Sequence, residues 1–324
     1  MATQLHENET VLVIRLGAMG DVLHALPAVA SMKLSFPRCT LVWLIAQKWL
    51  PLLAGNPYVD EIVPFDRAGI GSFWDLRRAL RAVQPEIAID FQGLLQSALA
   101  GRLAGAKKFY GFDRTVAREP LSSMLYTDCI SVTGPHRIQR NLELVTAAGA
   151  TRLTEESWIP EGLSEGELPR GPYVLASPFA GWRSKEWVAE RYGQLGKLLN
   201  KHGLELILNV PPERSEDLSR FQHARIHTSS LEGLIHATRC AAAVIGVDSG
   251  PLHLAAALKK PGVALYGPTD PAQTGPFNSP MIVVRQQEAE TTYKRGRDIH
   301  ESMDGIAVEQ VSEALLSSIA AARV

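Results

Sequence analysis

The chain has 324 residues, 46% hydrophobic and 21% charged, which is enough apolar side chain for two cores of ordinary size and too little charge for wholesale disorder. Thirty-three Lys and Arg stand against 34 Asp and Glu, a net charge of -1, so no global basic field speaks for nucleic acid. Cys39, Cys129 and Cys240 lie far apart with no C-x-x-C spacing, which argues against structural zinc and a disulfide framework and for a reducing cytoplasm. The first ten residues are polar, and no apolar run approaches the roughly 20 residues that span a bilayer. A soluble protein, able to visit a membrane surface, is expected.

In chain order, residues 11–16 read as a buried parallel strand, 17–20 as a tight loop, and 21–34 as a helix with a bend or short first segment at Pro27. Strands follow at 41–46 and 61–65, then a helix with a basic outer face at 73–83. The strand 87–90 ends in the polar turn Asp90-Phe91-Gln92-Gly93. A helix at 94–104, a strand at 108–111 and a helix at 136–148 complete a doubly wound pattern. Residues 155–172 are acidic and rich in Pro and Gly, a linker by composition. The alternation then restarts: strands at 173–177, 205–210, 241–247 and 262–266, helices at 189–199, 214–221, 231–238 and 252–258, and an amphipathic helix at 306–322. The expected layout is an N-terminal Rossmann-like domain over 1–155, a linker over 156–172 and a second Rossmann-like domain over 173–305. The helix 306–324 is expected to pack back on the first domain, and a cleft between the halves is the expected ligand site.

Five stretches carry chemistry. In Arg15-Leu-Gly17-Ala-Met-Gly20-Asp21-Val-Leu-His24, two glycines between strand and helix let the backbone approach a ligand. The spacing is not G-x-G-x-x-G, so a dinucleotide fingerprint fails. Asp21 reads either as a helix N-cap or as a base at the cleft, and the roles can combine. The second stretch is Phe179-Ala180-Gly181-Trp182-Arg183-Ser184-Lys185, which offers two cations for a diphosphate or an ordinary solvated loop. Glu232, opening a helix, suits either the helix dipole or the hydroxyls of a ribose. Asp248-Ser249-Gly250-Pro251-Leu252-His253 runs from a strand into a helix N-terminus, a natural phosphate seat, with Pro251 at the first helical position. Between Arg102 and Arg140 seven Lys or Arg face three acids, a local excess of four positives that fits a solvated face or an anionic partner.

Together, Met19-Gly-Asp-Val-Leu-His-Ala-Leu-Pro27, Asp90-Phe-Gln-Gly-Leu94, Ala117-Arg-Glu-Pro-Leu121, Ser230-Leu-Glu-Gly233, Val247-Asp-Ser-Gly250 with His253, and Leu265-Tyr-Gly-Pro-Thr-Asp-Pro271 resemble the lipopolysaccharide heptosyltransferases, glycosyltransferase family 9. The first three look closest to the heptosyltransferase I branch. The resemblance implies an α/β GT-B fold, two Rossmann-like domains with parallel sheets facing a cleft. It implies an inverting, metal-independent transfer of heptose from ADP-heptose to an anionic lipid A-Kdo type acceptor, with no cofactor. On that reading Asp21 is the general base and Lys185 steadies the departing diphosphate. Ala180 and Gly181 offer backbone N–H groups to the donor, Glu232 holds its ribose and Asp248 its hydroxyls, while Ser249, Gly250 and His253 surround its phosphates. Gly20, His24, Gln92 and Arg118 meet the acceptor. The implied location is cytoplasmic, peripheral at the inner face of the cytoplasmic membrane, with no nucleic-acid partner.

The chain departs from the family in three places. Ala180-Gly181 stand where heptosyltransferase I has hydroxyl side chains, Pro251 replaces a larger residue, and the segment 285–304 lacks the cysteines many relatives carry. The residues also admit another nucleotide-sugar donor, a nucleotide-sugar epimerase or hydrolase of the same build, or a nucleotide-binding module without chemistry. The last would leave Asp21 without a purpose. A dehydrogenase is disfavoured by the spacing of the first loop.

Overall fold

Thr10–Ile14, the strand β1, is fully buried over its last four residues, the mark of a strand covered by helices on both faces of a parallel sheet. In the computed structural model, which describes residues 9–65, 69–214, 221, 224–292, 294 and 296–322, β1 is followed by α1 (Met19–Ser35), β2 (Thr40–Ala46), β3 (Glu61–Phe65), α2 (Gly69–Val83), β4 (Ile87–Asp90), α3 (Leu95–Ala104), β5 (Lys108–Phe112), β6 (Asp128–Ile130) and α4 (Arg137–Ala147). A second series runs β7 (Tyr173–Ser177), α5 (Ala189–Asn200), β8 (Glu205–Val210), β9 (Arg225–Thr228), α6 (Leu231–Cys240), β10 (Ala243–Val247), α7 (Gly250–Ala257), β11 (Gly262–Tyr266), α8 (Pro271–Thr274), β12 (Met281–Arg285), α9 (Glu301–Asp304) and α10 (Val308–Ala321).

The strands form two six-stranded sheets, ordered β3-β2-β1-β4-β5-β6 and β12-β11-β10-β7-β8-β9, with parallel pairing throughout. Counted from the first strand of each series, both sheets have the order 3-2-1-4-5-6. The chain reverses its direction of travel between β1 and β4, and again between β7 and β10. In such sheets the crevice outside the carboxyl ends at that reversal is where ligands bind.

The chain divides into two compact units, Met1–Pro160 and Glu161–Val324. The linker is therefore shorter than its composition suggested. Beyond Pro160 the chain already belongs to the second unit, where the Leu163 N–H donates to the Glu232 carbonyl at 3.1 Å. The Glu165 carboxylate there accepts from the Ser230 N–H and hydroxyl at 2.8 and 2.6 Å.

Two other expectations are corrected. The last helix was expected on the first unit. Instead Val311, Leu315 and Ile319 of α10, at i, i+4 and i+8, lie in the second unit's core with Leu195 and Leu199 of α5, and the buried Trp187 Nε1 donates to the Ile306 carbonyl at 3.0 Å. A helix cannot leave three large apolar groups in water when a sheet face beside it is uncovered. Nor does Pro27 break the first helix: α1 runs through it to Ser35, and the Ser31 hydroxyl donates to the Pro27 carbonyl at 2.8 Å. Burial of nearly every residue from Met19 to Met32 outweighs the missing hydrogen bond. The strands β6, β9 and β12 were not read from the sequence: β6 and β9 are short sheet edges with partial burial and no apolar run, whereas β12 does carry one, at 281–284, and was overlooked. The helix expected over 214–221 lies largely outside the described residues.

Candidate active site

In the first unit the reversal between β1 and β4 gathers Arg15, Asp21, Asp90 and Gln92. Asp21 is not the N-cap the sequence allowed. Met19 and Gly20 already belong to α1, so Asp21 is its third residue and its carboxylate reaches back to the Ala18 N–H at 3.3 Å. Arg15 Nη2 binds Asp21 Oδ2 at 2.7 Å, and Arg137 Nη1, from the first residue of α4, binds Oδ1. Burial opposes ionisation of Asp21, but Arg15 and Arg137 overcome it and hold the carboxyl well below the usual carboxylate range. Arg15 is fixed from behind, donating from Nη1 to the Phe91 carbonyl.

The turn after β4 is equally determined. Asp90, fully buried, accepts from the N–H groups of Gln92 at 2.7 Å and Gly93 at 3.4 Å, from Ser97 Oγ at 2.8 Å and from Tyr126 OH at 2.8 Å. Gly93 sits at φ 65°, a left-handed conformation that a side chain would strain. Gln92 Oε1 accepts from the Leu16 N–H at 3.1 Å, tying the two loops together. Beside them opens a concavity of about 830 Å³ lined by Gly17, Ala18, Lys48, Trp49, Gln92 and Arg118 among others. It carries two cations, Lys48 and Arg118, one carboxylate, Glu119, and a tryptophan, a net positive seat that suits an anionic sugar.

Of the expected acceptor residues, Gln92 and Arg118 line this concavity. Gly20 is buried within α1. His24 is buried with its ring edge-on to His136, centroids 5.2 Å apart, and its carbonyl accepts from Asn141 Nδ2 at 2.9 Å. These contacts make His24 a packing residue between α1 and α4.

In the second unit β7, β10 and β11 lie side by side, and their carboxyl ends bring Lys185, Asp248 and Tyr266 together. Lys185 Nζ donates to Asp248 Oδ2 at 3.0 Å and to the Asp248 carbonyl at 2.7 Å. His253 Nε2 lies 3.4 Å from Asp248 Oδ1, which also accepts from Thr274 Oγ1 at 3.4 Å and, at the limit of bonding, Tyr266 OH at 3.5 Å. Burial again opposes ionisation, and the His253 hydrogen bond with the Lys185 charge holds the Asp248 carboxyl well below its ordinary range. In this structure both oxygens of Asp248 are taken up by the protein, so its geometry is that of a group aiming Lys185 and His253.

Ser249 is the N-cap of α7, yet its hydroxyl makes no capping bond. Ser249 Oγ and Ser177 Oγ are both buried without a hydrogen-bond partner among the described residues. An uncapped helix start with idle buried hydroxyls is suited to an anion. Gly250 and Pro251 are the first and second residues of that helix, so Pro251 stands one place later than expected. The Ala180 N–H points to Glu186 Oε1 at 3.4 Å, and a Cβ on Gly181 would meet nothing within 4 Å among the described residues. Glu232 is in the first turn of α6, where Ser230 Oγ caps its N–H at 3.2 Å.

The residues that sequence reasoning missed are those acting from a distance. Arg15 stood inside the first motif without a role. Arg137 counted only as one of seven cations, and no local spacing could link it to a carboxylate 116 positions earlier. Tyr266 and Thr274 flank the Pro-rich turn after β11. Trp187, beside Lys185, is a core residue. Among the described residues no group of three or more His, Cys, Asp or Glu gathers as for a metal, and no helix is long and apolar enough to cross a membrane.

Comparison with known proteins gives the family. The model of glycosyltransferase family 9 (heptosyltransferase) matches residues 73–303. The chain is 29% identical over 293 residues to lipopolysaccharide heptosyltransferase 1 of Pseudomonas aeruginosa, covering 84% of this chain and 82% of that protein. It is 30% identical over 297 residues to lipopolysaccharide heptosyltransferase 1 of Escherichia coli K12, covering 85% and 93%. Among solved structures it is similar to the E. coli heptosyltransferase WaaC with ADP-2-deoxy-2-fluoro heptose, at a TM-score of 0.75 and 25% identity over 95% of this chain and 99% of that one. With two doubly wound parallel sheets, the fold is GT-B.

Proposed function

Because the chain belongs to glycosyltransferase family 9, the heptosyltransferases, we propose that it moves a heptose from ADP-heptose to the Kdo region of a lipid A-Kdo acceptor, with inversion at the anomeric carbon. The first unit takes the acceptor and the second the donor. The observation that carries the donor half is the start of α7, where Ser249 Oγ lies buried with no hydrogen-bond partner among the described residues, beside a lysine held in place by Asp248. That arrangement supports a diphosphate: helix dipole, free N–H groups, a hydroxyl and a fixed cation converge. The structure of the similar WaaC holds ADP-2-deoxy-2-fluoro heptose.

In the proposed step the acceptor hydroxyl oxygen bonds to the anomeric carbon as the bond from that carbon to the diphosphate breaks, its electron pair leaving with the diphosphate. Lys185 and the α7 N-terminus receive that charge. Asp21 accepts the hydroxyl proton. A carboxylate held this far ionised is a weak base, so the proton moves late, once the forming bond has made the hydroxyl acidic. Ala180 and Gly181 supply backbone groups to the donor, Glu232 its ribose contact, and Gly250 and His253 complete the phosphate seat. Arg118, Lys48 and Gln92 meet the acceptor's carboxylates and phosphates. No further cofactor enters this scheme. The acceptor's lipid brings the protein to the inner face of the cytoplasmic membrane, where the exposed Leu121 and Met124 beside Arg118 suit a lipid surface.

The test is thermal stabilisation by ADP, UDP and GDP and their sugars, paired with a transfer assay. ADP-selective stabilisation and heptose transfer to the Kdo acceptor are expected. UDP selectivity, or release of free heptose without transfer, overturns the assignment.

A further inference from the structure

We infer that Arg137 is a positioning residue for the transfer: it clamps Asp21 in the acceptor-free protein, then leaves it for an anionic group of the acceptor and so frees the carboxylate to take the proton. This rests on reading Asp21 as the base.

Three observations carry it. The two guanidinium groups on Asp21 are not equivalent. Arg15 has 8% of its side chain exposed and Arg137 has 41%, so Arg15 is a fixture, while Arg137 reaches solvent at its own end of the pair and can exchange partners. The oxygens are divided accordingly. Oδ2 is filled by Arg15 and the Ala18 N–H, whereas Oδ1 is covered by Arg137. The lone pair able to receive a proton is the one Arg137 occupies. Finally, α4 does not depend on this contact. His136 caps it by accepting from the Ile138 N–H at 3.1 Å, and Asn141 fastens it to α1 through the His24 carbonyl. The arginine can swing without loosening its helix. Guanidinium groups exchange readily between carboxylates and phosphates because both fit the same fork of donors. The other titratable groups near Asp21 are Arg15 from the end of β1, His24 one turn on in α1, His136 against His24, and Asp90 behind Arg15.

The test uses full-length protein, ADP-heptose, a de-acylated Kdo acceptor and the same acceptor with its carboxylate as the methyl ester. Arg137→Ala and Arg137→Lys are compared with wild type, with Asp21→Asn as reference. Arg137→Ala should raise the acceptor KM about tenfold for the anionic acceptor and much less for the ester, leaving ADP affinity unchanged. Since kcat/KM reports the free enzyme, where Asp21 then keeps one cation instead of two, its acid limb should move to higher pH. Arg137→Lys should restore part of both. If Asp21→Asn is inactive but Arg137→Ala leaves the anionic-acceptor KM and the acid limb unchanged, or weakens both acceptors equally, the role of Arg137 is overturned alone. If Asp21→Asn transfers at the wild-type rate, the base reading falls and this inference falls with it.

Discussion

Asp90 and Asp248 stand at the end of the fourth strand of their respective units, and the protein treats them oppositely. Asp90 is surrounded by neutral donors, Ser97, Tyr126 and two backbone N–H groups, and burial pushes its pKa up. Asp248 is nearly as hidden, but His253 and Lys185 reverse the effect of burial. The first is a rivet for a turn and the second a holder for a cation. Replacing Asp248 by Asn leaves the Lys185 charge buried without its partner, its side chain only 14% exposed. Breaking a buried pair from one side costs about 3 kcal/mol, so urea unfolding should show a loss of that order, and calorimetry a weaker affinity for ADP as Lys185 loses its aim. An unchanged ADP affinity would remove the pair from the donor site. The sign with pH follows from the depressed carboxyl. Its stabilisation is complete above an ordinary aspartate pKa of about 4 and is lost as pH falls through the lower folded value. The gap between wild type and Asp248→Asn should therefore be flat near neutrality and shrink below about pH 4.

At the scale of elements, a chain of contacts ties helix packing to the first unit's site. Gly101 lies inside α3, where glycine costs roughly 1 kcal/mol against alanine by propensity alone. A Cβ there would run into the ring of Phe109 on β5. That ring is 1% exposed and packs edge-on against Tyr126, centroids 4.9 Å apart, and the Tyr126 hydroxyl is bonded to Asp90. The ring has nowhere to go. Gly101→Ala should then destabilise by about 1–3 kcal/mol through overpacking, where propensity alone predicts a gain. A rise in the urea midpoint would show that Phe109 yields. The same contacts explain what was legible. β1, β4, β7, β10 and β11 are buried on both faces and announce themselves as apolar runs, and each ends in a turn whose Gly, Pro and Asp mark the ligand rim. The edge strands β6 and β9, short and without an apolar run, were silent. Glycines such as Gly101 look like errors until the residue facing them is known.

For the whole molecule, the two units repeat one strand order, and each closes its own core. The second core draws on β7, β8, β10, β11, α5 and α10, and α10 belongs to it because its apolar face completes that layer. The sequence pointed α10 elsewhere since amphipathicity says that a face must be covered, never by what. It likewise put Asp21, Lys185 and Asp248 at turns, but did not show the pairings they make. Arg137 with Asp21, and Thr274 with Asp248, are set by which strands become neighbours. Every residue assigned to the donor, from Ala180 to His253, lies within Glu161–Val324, and so does every group that holds Lys185. If that unit is a complete nucleotide site, a fragment of residues 161–324 should fold, with a cooperative thermal transition, and bind ADP within about tenfold of the full chain, a gap of some 1.4 kcal/mol. It should transfer nothing, lacking Asp21. A folded fragment that ignores ADP would mean that the nucleotide also needs groups from the first 160 residues, and the division of donor and acceptor between the units would have to be given up.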